Sequence, residues 1–130
     1  MDTLFIFIKV ILWISLSQNH LPLAKISELA VCVTEASERF QVDPAVLTAI
    51  ITRESGWHED AVSKTHDWGL CQAHVKKPNK AHTDALLDGC TNIHIGARIL
   101  KRGLSHYNPG SPSYVGNTMR KANRLERILK

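Results

Sequence analysis

The stretch DPAVLTAIITRESG, residues 43–56, decides the fold of this chain. Asp43 is a good helix N-cap, and Pro44 suits the first helical position because its missing N–H would have no partner there. Gly56 is a typical residue just beyond a helix C-terminus, since it adopts the left-handed conformation without steric cost. These signals predict one well-delimited helix between Asp43 and Gly56.

Glu54 stands out because it continues the apolar face of that predicted helix. Leu47, Ile50, Ile51 and Glu54 follow helical spacing, so the carboxyl points to a side that is otherwise apolar. Desolvation and the negative end of the helix dipole both raise the pKa of such a carboxyl. The pattern fits a general acid, and it fits equally well a glutamate that has reached the solvated end of its helix.

The remainder of the folded chain also follows helical spacing, and no segment alternates long enough to predict a strand. The predicted inward positions are Ile26, Leu29, Ala30, Val33 and Phe40 in one helix, Ile93, Ala97, Leu100 and Leu104 in another capped by Thr91, and Val115, Ala122, Leu125 and Leu129 in the last. A short helix is predicted over 82–87 and a turn over 107–113. The sequence thus predicts a compact all-α domain over residues 25–130, with function expected in the long loop 57–80.

Residues 1–24 differ in kind from the rest. The runs 4–8 and 10–16 are strongly apolar and are separated by Lys9. They are too short and too interrupted for a clear membrane span, so we predict a secretory signal ending at Ala24, with an uncleaved membrane anchor as the alternative. In both cases the folded part is expected to be exported to the periplasm or cell envelope.

Charge is unevenly distributed along the 130 residues. Residues 1–75 hold five Lys or Arg against nine Asp or Glu, whereas residues 76–130 hold eleven against three. A basic half indicates an anionic partner such as a wall polymer, and a solvated helix face is the alternative. Nucleic acid is not expected, because no stacking aromatic residues accompany the basic ones.

Three cysteines in an exported chain indicate one disulfide and one free thiol. Cys32 lies on the first predicted helix of the domain and Cys90 directly precedes another. Cys71 lies in a Gly-Leu-Cys-Gln turn, where an apolar side chain would serve. We therefore predict that Cys32 pairs with Cys90 and that Cys71 is free.

The histidines do not predict a metal centre. His66, His74 and His82 recur every eight residues, which matches no common ligand spacing, and the chain has no HExxH motif. We expect solvated loop histidines, with no metal and no other cofactor.

Further motifs follow the helix of Glu54 in a specific order. They are Ala45–Ile50 leading into Glu54-Ser55-Gly56-Trp57, then Ala61-Val62-Ser63, Asp67-Trp68-Gly69-Leu70-Cys71-Gln72, Leu86–Ile93 with Gly96-Ala97, and Tyr107-Asn108-Pro109-Gly110. With these motifs the chain resembles the lysozyme-like lytic transglycosylases (SLT domains) from about residue 31 to 115. It is most similar to the small ones that accompany type III and type IV secretion and conjugation machines. Cys32 and Cys90 also match positions where such relatives carry paired cysteines.

The resemblance implies a peptidoglycan lytic transglycosylase, in which Glu54 protonates the glycosidic oxygen between N-acetylmuramic acid and N-acetylglucosamine. Glu54 then acts as base while the muramic 6-hydroxyl closes a 1,6-anhydro ring. The implied cut opens the wall locally for a secretion, conjugation or phage machine. A hydrolytic lysozyme on the same fold and a non-catalytic glycan-binding or assembly protein are the alternatives.

The resemblance also implies roles for individual residues around Glu54. The implied substrate-binding residues are Ser55, Ser63, Gly69, Gln72, Tyr107 and Asn108. Gly69 is expected to let the backbone approach the sugar, and Tyr107 to brace Glu54 or stack on a sugar face. Asp67 is expected to brace its turn and Trp57 to plug the helix end. Cys71 replaces the methionine usual in Gly-Leu-Met-Gln, and the segments after Gln72 and after Ala97 are shorter than is typical.

Overall fold

The computed structural model describes residues 2–107 and 112–128, and the fold there is all-α, as predicted. The elements in chain order are α1 (Thr3–Ser17), α2 (Leu23–Phe40), α3 (Pro44–Glu54), β1 (Asp67–Trp68), β2 (Ala73–His74), α4 (Lys80–Leu86), α5 (Gly89–Lys101), a 3-10 turn (Leu104–Tyr107) and α6 (Pro112–Ile128). Two residues for which roles were predicted, Asn108 and Leu129, lie outside the described residues.

Helix α3 forms the centre of the domain. Its seven residues from Ala45 to Ile51 are all buried, against α1, α2 and α6. The Asp43 carboxylate accepts from the Ala45 N–H, which satisfies one of the free donors at the helix start. Gly56 follows the helix end with a φ of 59°. The predicted helix is therefore confirmed together with both of its end signals.

Helices α2 and α5 pack against each other and are joined by the predicted disulfide. Cys32 and Cys90 are bonded, with their Cα atoms 5.3 Å apart. Cys71 is free and fully buried. The cysteine prediction is confirmed in both parts.

The bounds of α5 differ from the prediction at both ends. Asp88, not Thr91, is the N-cap, because the Asp88 carboxylate accepts from both the N–H and the hydroxyl of Thr91. Leu104 lies beyond the helix, in the 3-10 turn. The helix therefore begins two residues before Thr91 and ends at Lys101.

The last helix buries Ala122 and Leu125 as predicted, but its buried face begins at Tyr114 and not at Val115. Tyr114, Thr118, Ala122 and Leu125 are buried, whereas Val115 is exposed. Because these four residues already follow helical spacing, an apolar stripe counted from Tyr114 gives the observed face. Helix α6 begins at Pro112, so Pro112 and Ser113 of the predicted turn over 107–113 are helical, and residues 108–111 lie outside the described residues.

The long loop contains strands that the sequence did not predict. Strands β1 and β2 pair antiparallel, with Asp67 opposite His74 and Trp68 opposite Ala73, and Val62 bridges to Trp68. Each strand has two residues, which is too short to show the alternation used to recognise strands. The hairpin holds the loop in a defined shape above α5.

Residues of the predicted leader form α1, which packs on the domain. Val10, Trp13 and Ile14 are completely or almost completely buried, and the Trp13 indole N–H donates to the Leu125 carbonyl at 3.0 Å. Helix α2 begins at Leu23, so the predicted leader boundary after Ala24 falls inside its first turn. Among the described residues, no helix combines the length and the hydropathy needed to cross a membrane. A signal or anchor role for residues 1–24 stays a prediction.

Candidate active site

Glu54 is the last residue of α3 and is partly buried. Desolvation raises the pKa of its carboxyl above the ordinary value of 4.5. Two groups oppose that shift: a hydrogen bond from Tyr114 and the positive charge of Arg53. The negative charge of Asp67 adds to the rise. The outcome is a carboxyl that holds its proton at a higher pH than a solvated glutamic acid does.

Tyr114 contacts Glu54, although its role was missed in the sequence. Its hydroxyl donates to Glu54 Oε1 at 3.3 Å. The ring lies between two partners, with the Arg53 guanidinium 4.7 Å from its centroid and the Tyr107 ring stacked at 6.4 Å. Burial and the neighbouring Glu54 raise the pKa of the Tyr114 phenol, so it remains a donor. A stripe counted back from Ala122 through Thr118 at helical spacing reaches Tyr114, and would have placed it on the buried face of α6.

Tyr107 supports Tyr114 instead of bracing Glu54 itself. Its hydroxyl donates to the Gly96 carbonyl at 2.7 Å, so this proton is not directed at Glu54, which Tyr107 was expected to brace. A Cβ at Gly96 would collide with the Cys71 side chain and the Tyr107 hydroxyl. Gly96 therefore allows Cys71 and Tyr107 to pack closely beneath the site. Stacking of Tyr107 on a sugar stays a prediction.

Asn92, which the sequence did not single out, fixes the loop to α5. Its side-chain oxygen accepts from the Cys71 N–H at 2.7 Å, and its amide donates to the carbonyls of Trp68 and Leu86. The side chain is fully buried and all three bonds reach backbone atoms. The Asn92 side chain thereby holds both Trp68, which precedes the Gly-Leu-Cys-Gln turn, and Cys71 within that turn.

The structure gives Gly69 a different reason for being glycine from the one expected. Its φ is 77°, and a Cβ would collide with the Asn92 amide and the Leu86 carbonyl. The close approach is therefore made by Asn92 of α5 and by Leu86, the last residue of α4. Contact between Gly69 and a sugar stays a prediction, but it is not needed to explain the glycine.

Asp67 braces the loop, as expected. Its Oδ2 accepts from the hydroxyls of Ser63 and Thr65, and its Oδ1 contacts His74 Nδ1 at 3.0 Å. These hydrogen bonds outweigh the effect of burial and lower the pKa of Asp67. The Ser63 N–H also donates to the Asp67 carbonyl, and the Asp67 N–H donates to the Ser63 hydroxyl. Ser63 thus serves the loop in this structure, and its contact with substrate stays a prediction.

Two further predicted substrate-binding residues use their side chains locally. Gln72 has a φ of 54°, and its amide donates to the carbonyls of Ala61 and Gly69 at 3.1 and 3.0 Å. The Ser55 hydroxyl donates to the Ile51 carbonyl at the end of α3. None of these contacts requires a sugar, so the binding roles of Gln72 and Ser55 stay predictions.

Trp57 plugs the end of α3, as expected. Its side chain is completely buried, and the indole N–H donates to the Thr52 hydroxyl at 2.9 Å. The Ser55 hydroxyl accepts from the Trp57 N–H. Buried packing with a satisfied indole indicates a structural role for this tryptophan.

The family model described as the transglycosylase SLT domain matches residues 31–122. The chain belongs to the SLT domain family. No curated protein and no solved structure matches it. Membership supports a transglycosylase-type function that acts on peptidoglycan.

The match to the SLT domain covers the whole constellation around Glu54. It begins in α2 just before Cys32 and ends in α6 at Ala122, and so it includes Asp67, Asn92 and Tyr114. Three groups act on the Glu54 carboxyl in this SLT domain: Arg53 from α3, Asp67 from the hairpin loop and Tyr114 from α6.

Histidines in this SLT domain make no metal site within residues 2–107 and 112–128. No group of three or more His, Cys, Asp or Glu side chains is placed there to hold an ion. His74 instead contacts the Asp67 carboxylate.

Proposed function

We propose that this SLT domain is a lytic transglycosylase that cleaves the β-1,4 bond between N-acetylmuramic acid and N-acetylglucosamine. The observation that carries the proposal is the Glu54 carboxyl, which is partly desolvated at the end of α3 and contacted by the Tyr114 hydroxyl. Desolvation raises its pKa, so it stays protonated where a solvated carboxyl would be ionised. Such a group can transfer a proton to a glycosidic oxygen.

One carboxyl is sufficient for both halves of this reaction. Glu54 gives its proton to the glycosidic oxygen as the bond from that oxygen to the muramic C1 breaks. The muramic 6-hydroxyl then bonds to C1 and returns its proton to Glu54, so no water is consumed. Because the nucleophile belongs to the substrate and is held close to C1, a second protein carboxylate is unnecessary.

The bonding of Asp67 supports this mechanism over a two-carboxylate one. Both of its oxygens already contact partners in the loop: Ser63 and Thr65 on one oxygen, and His74 on the other. A carboxylate held in this way is a poor base for an attacking water. We therefore assign Asp67 to the loop and the proton transfers to Glu54.

Hydrolysis is the second candidate, and one observation favours it. The negative charge of Asp67 raises the pKa of Glu54, so the two carboxyls lie close enough to interact. Hydrolytic glycosidases use a pair of carboxylates on either side of the bond. The two mechanisms differ in their products, since hydrolysis adds water and anhydro-ring closure does not.

The test is digestion of purified sacculi by the oxidised protein, followed by mass analysis of the glycans. Muropeptides lighter by one water at each cut support the proposal, whereas reducing ends show hydrolysis. Glu54→Gln keeps the shape of the side chain and removes the transferable proton, so cleavage should fall below a few per cent. Asp67→Asn is the matched variant, and it should change stability without changing the type of product.

We also propose that the protein acts outside the cytoplasmic membrane. Its substrate is an envelope polymer, and a disulfide such as Cys32–Cys90 persists in oxidising compartments. The association with a secretion, conjugation or phage machine rests on resemblance to small members of the family. Glycan binding without cleavage by the folded wild-type protein would instead support the non-catalytic alternative.

A further inference from the structure

Helix α1 is apolar on all of its faces, although only one face is packed on the domain. Inward-facing Val10, Trp13 and Ile14 are buried. The outward face carries large apolar side chains that are between 43% and 61% exposed. These residues, which we name the α1 stripe, are Leu4, Phe5, Ile8, Leu12 and Leu16.

The α1 stripe is unusual for a surface helix. A helix at the surface of a globular domain normally turns charged and polar residues outward. Here Lys9 is the only charged residue among the 15 of α1. Its ammonium lies over the Phe5 ring at 4.9 Å and contacts Glu126 of α6 at 3.6 Å, so it sits at the edge of the stripe. A continuous apolar ridge of this kind indicates an apolar surface that covers it.

We propose that the α1 stripe docks the protein on a lipid bilayer, with α1 lying parallel to the membrane plane. The helix has 15 residues and is therefore about 22 Å long, shorter than the roughly 30 Å of a hydrocarbon core. The Trp13 indole bonded to the Leu125 carbonyl fixes it along the domain. A helix held in this way enters the interface sideways and does not span it.

Charge near α1 favours a lipid surface over a second protein. The turn of α6 that contacts α1 through Leu125 and Glu126 also exposes Arg124 and Arg127. Exposed guanidiniums next to the residues that contact α1 attract anionic headgroups. A ridge one helix wide can also be covered by lipid, because fluid lipid rearranges around it.

The test is flotation of the purified full chain with vesicles of phosphatidylethanolamine and phosphatidylglycerol. Wild type should float with the vesicles. Ile8→Glu with Leu12→Glu should weaken binding by roughly tenfold or more, because two apolar side chains lose their contact with lipid. Val31→Glu is the matched control: Val31 is 41% exposed but lies on α2, outside the stripe, so binding should be unchanged.

Other results would overturn the proposal. Vesicle binding that is equal in wild type and in the stripe variant would do so, provided that circular dichroism shows both folded. A dimer in vesicle-free solution that the same stripe variant abolishes, without vesicle binding by wild type, would assign the stripe to a second copy. Intact mass analysis of the exported protein must also show α1 present, since a chain starting after α1 has no stripe. Glu54→Gln should bind vesicles like wild type, which separates this proposal from the catalytic one.

Discussion

The hydroxyl of Tyr114 donates to Glu54 Oε1 across 3.3 Å, joining residues 60 positions apart in the chain. This bond fixes the orientation of the carboxyl at the end of α3. It also stabilises the ionised form, because a carboxylate accepts more strongly than a carboxylic acid. Tyr114 thus orients Glu54 while limiting the rise in its pKa that burial causes.

Replacing Tyr114 with phenylalanine should therefore move the pH profile. The hydrogen bond lowers the pKa of Glu54, so its loss raises that pKa further and shifts the basic limb of kcat/KM to higher pH. We expect kcat to fall by roughly tenfold as the carboxyl loses its fixed orientation. Tyr107→Phe is the control, because its hydroxyl bonds to Gly96 and its loss should leave the limb in place. Identical limbs in wild type and Tyr114→Phe would contradict this role.

Wild-type enzyme should keep its activity at pH values above 4.5, the ordinary pKa of a glutamic acid. Burial of Glu54 raises its pKa, and the basic limb of kcat/KM reports loss of that proton. Arg53→Gln removes a charge that lowers this pKa, so its limb should lie higher still, with a larger difference at low salt. Arg39→Gln is the matched control. It also removes a guanidinium that lies over an aromatic ring, but Arg39 is not among the charges that act on Glu54, so the limb should stay where it is in wild type. A wild-type limb at 4.5 would show that the carboxyl is solvated.

Asn92→Ala should destabilise the domain by about 3 kcal/mol or more. The change leaves the Cys71 N–H and the carbonyls of Trp68 and Leu86 without their buried partner. Urea unfolding followed by circular dichroism measures the loss. Asn123→Ala, at an exposed position on α6, should change the free energy of unfolding by less than about 0.5 kcal/mol. Similar effects at both positions would mean that the Asn92 amide does not hold the loop.

Removing the disulfide should cost about 4 kcal/mol, because Cys32 and Cys90 close a loop of 58 residues in the unfolded chain. The double variant Cys32→Ser and Cys90→Ser should unfold at a lower urea concentration than oxidised wild type. Reduced wild type should unfold together with the double variant. If reduction left the midpoint of wild type unchanged, the bond would not constrain the unfolded chain.

Cys71 should resist alkylation in the native protein. Burial raises the pKa of its thiol to about 12, so little thiolate is present at neutral pH, and the sulfur is not accessible. Iodoacetamide should therefore label Cys71 only after unfolding, as mass analysis of peptides will show. Rapid labelling under native conditions would place the thiol in an open cleft.

Sequence reasoning succeeded where the signals were local. The bounds of α3 follow from Asp43, Pro44 and Gly56, which act within a turn or two of the chain. The Cys32–Cys90 pair could be predicted because few cysteines are present and one of them lies in a turn. The partial burial of Glu54 could be predicted because its spacing from Leu47 continues the apolar face of the same helix.

Features that depend on distant parts of the chain were missed. Tyr114 meets Glu54 only after α6 packs on α3, and counting the α6 stripe from Val115 hid it. Gly69 was assigned to sugar contact because its neighbour in space, Asn92, lies 23 positions further along the chain. The two-residue strands around Asp67 are likewise formed by long-range pairing in the loop and have no periodic pattern of their own.

The bond between Trp13 and Leu125 has a consequence for the timing of folding during synthesis. It joins residues 112 positions apart, in the first and last helices of the described chain. Both sides of that contact exist only after Leu125 has left the ribosome. Until then the buried faces of α1 and α3 lack their last neighbour, and the domain cannot reach its final stability. The domain therefore completes its folding only once α6 has left the ribosome, and until then the nascent chain stays open to chaperones.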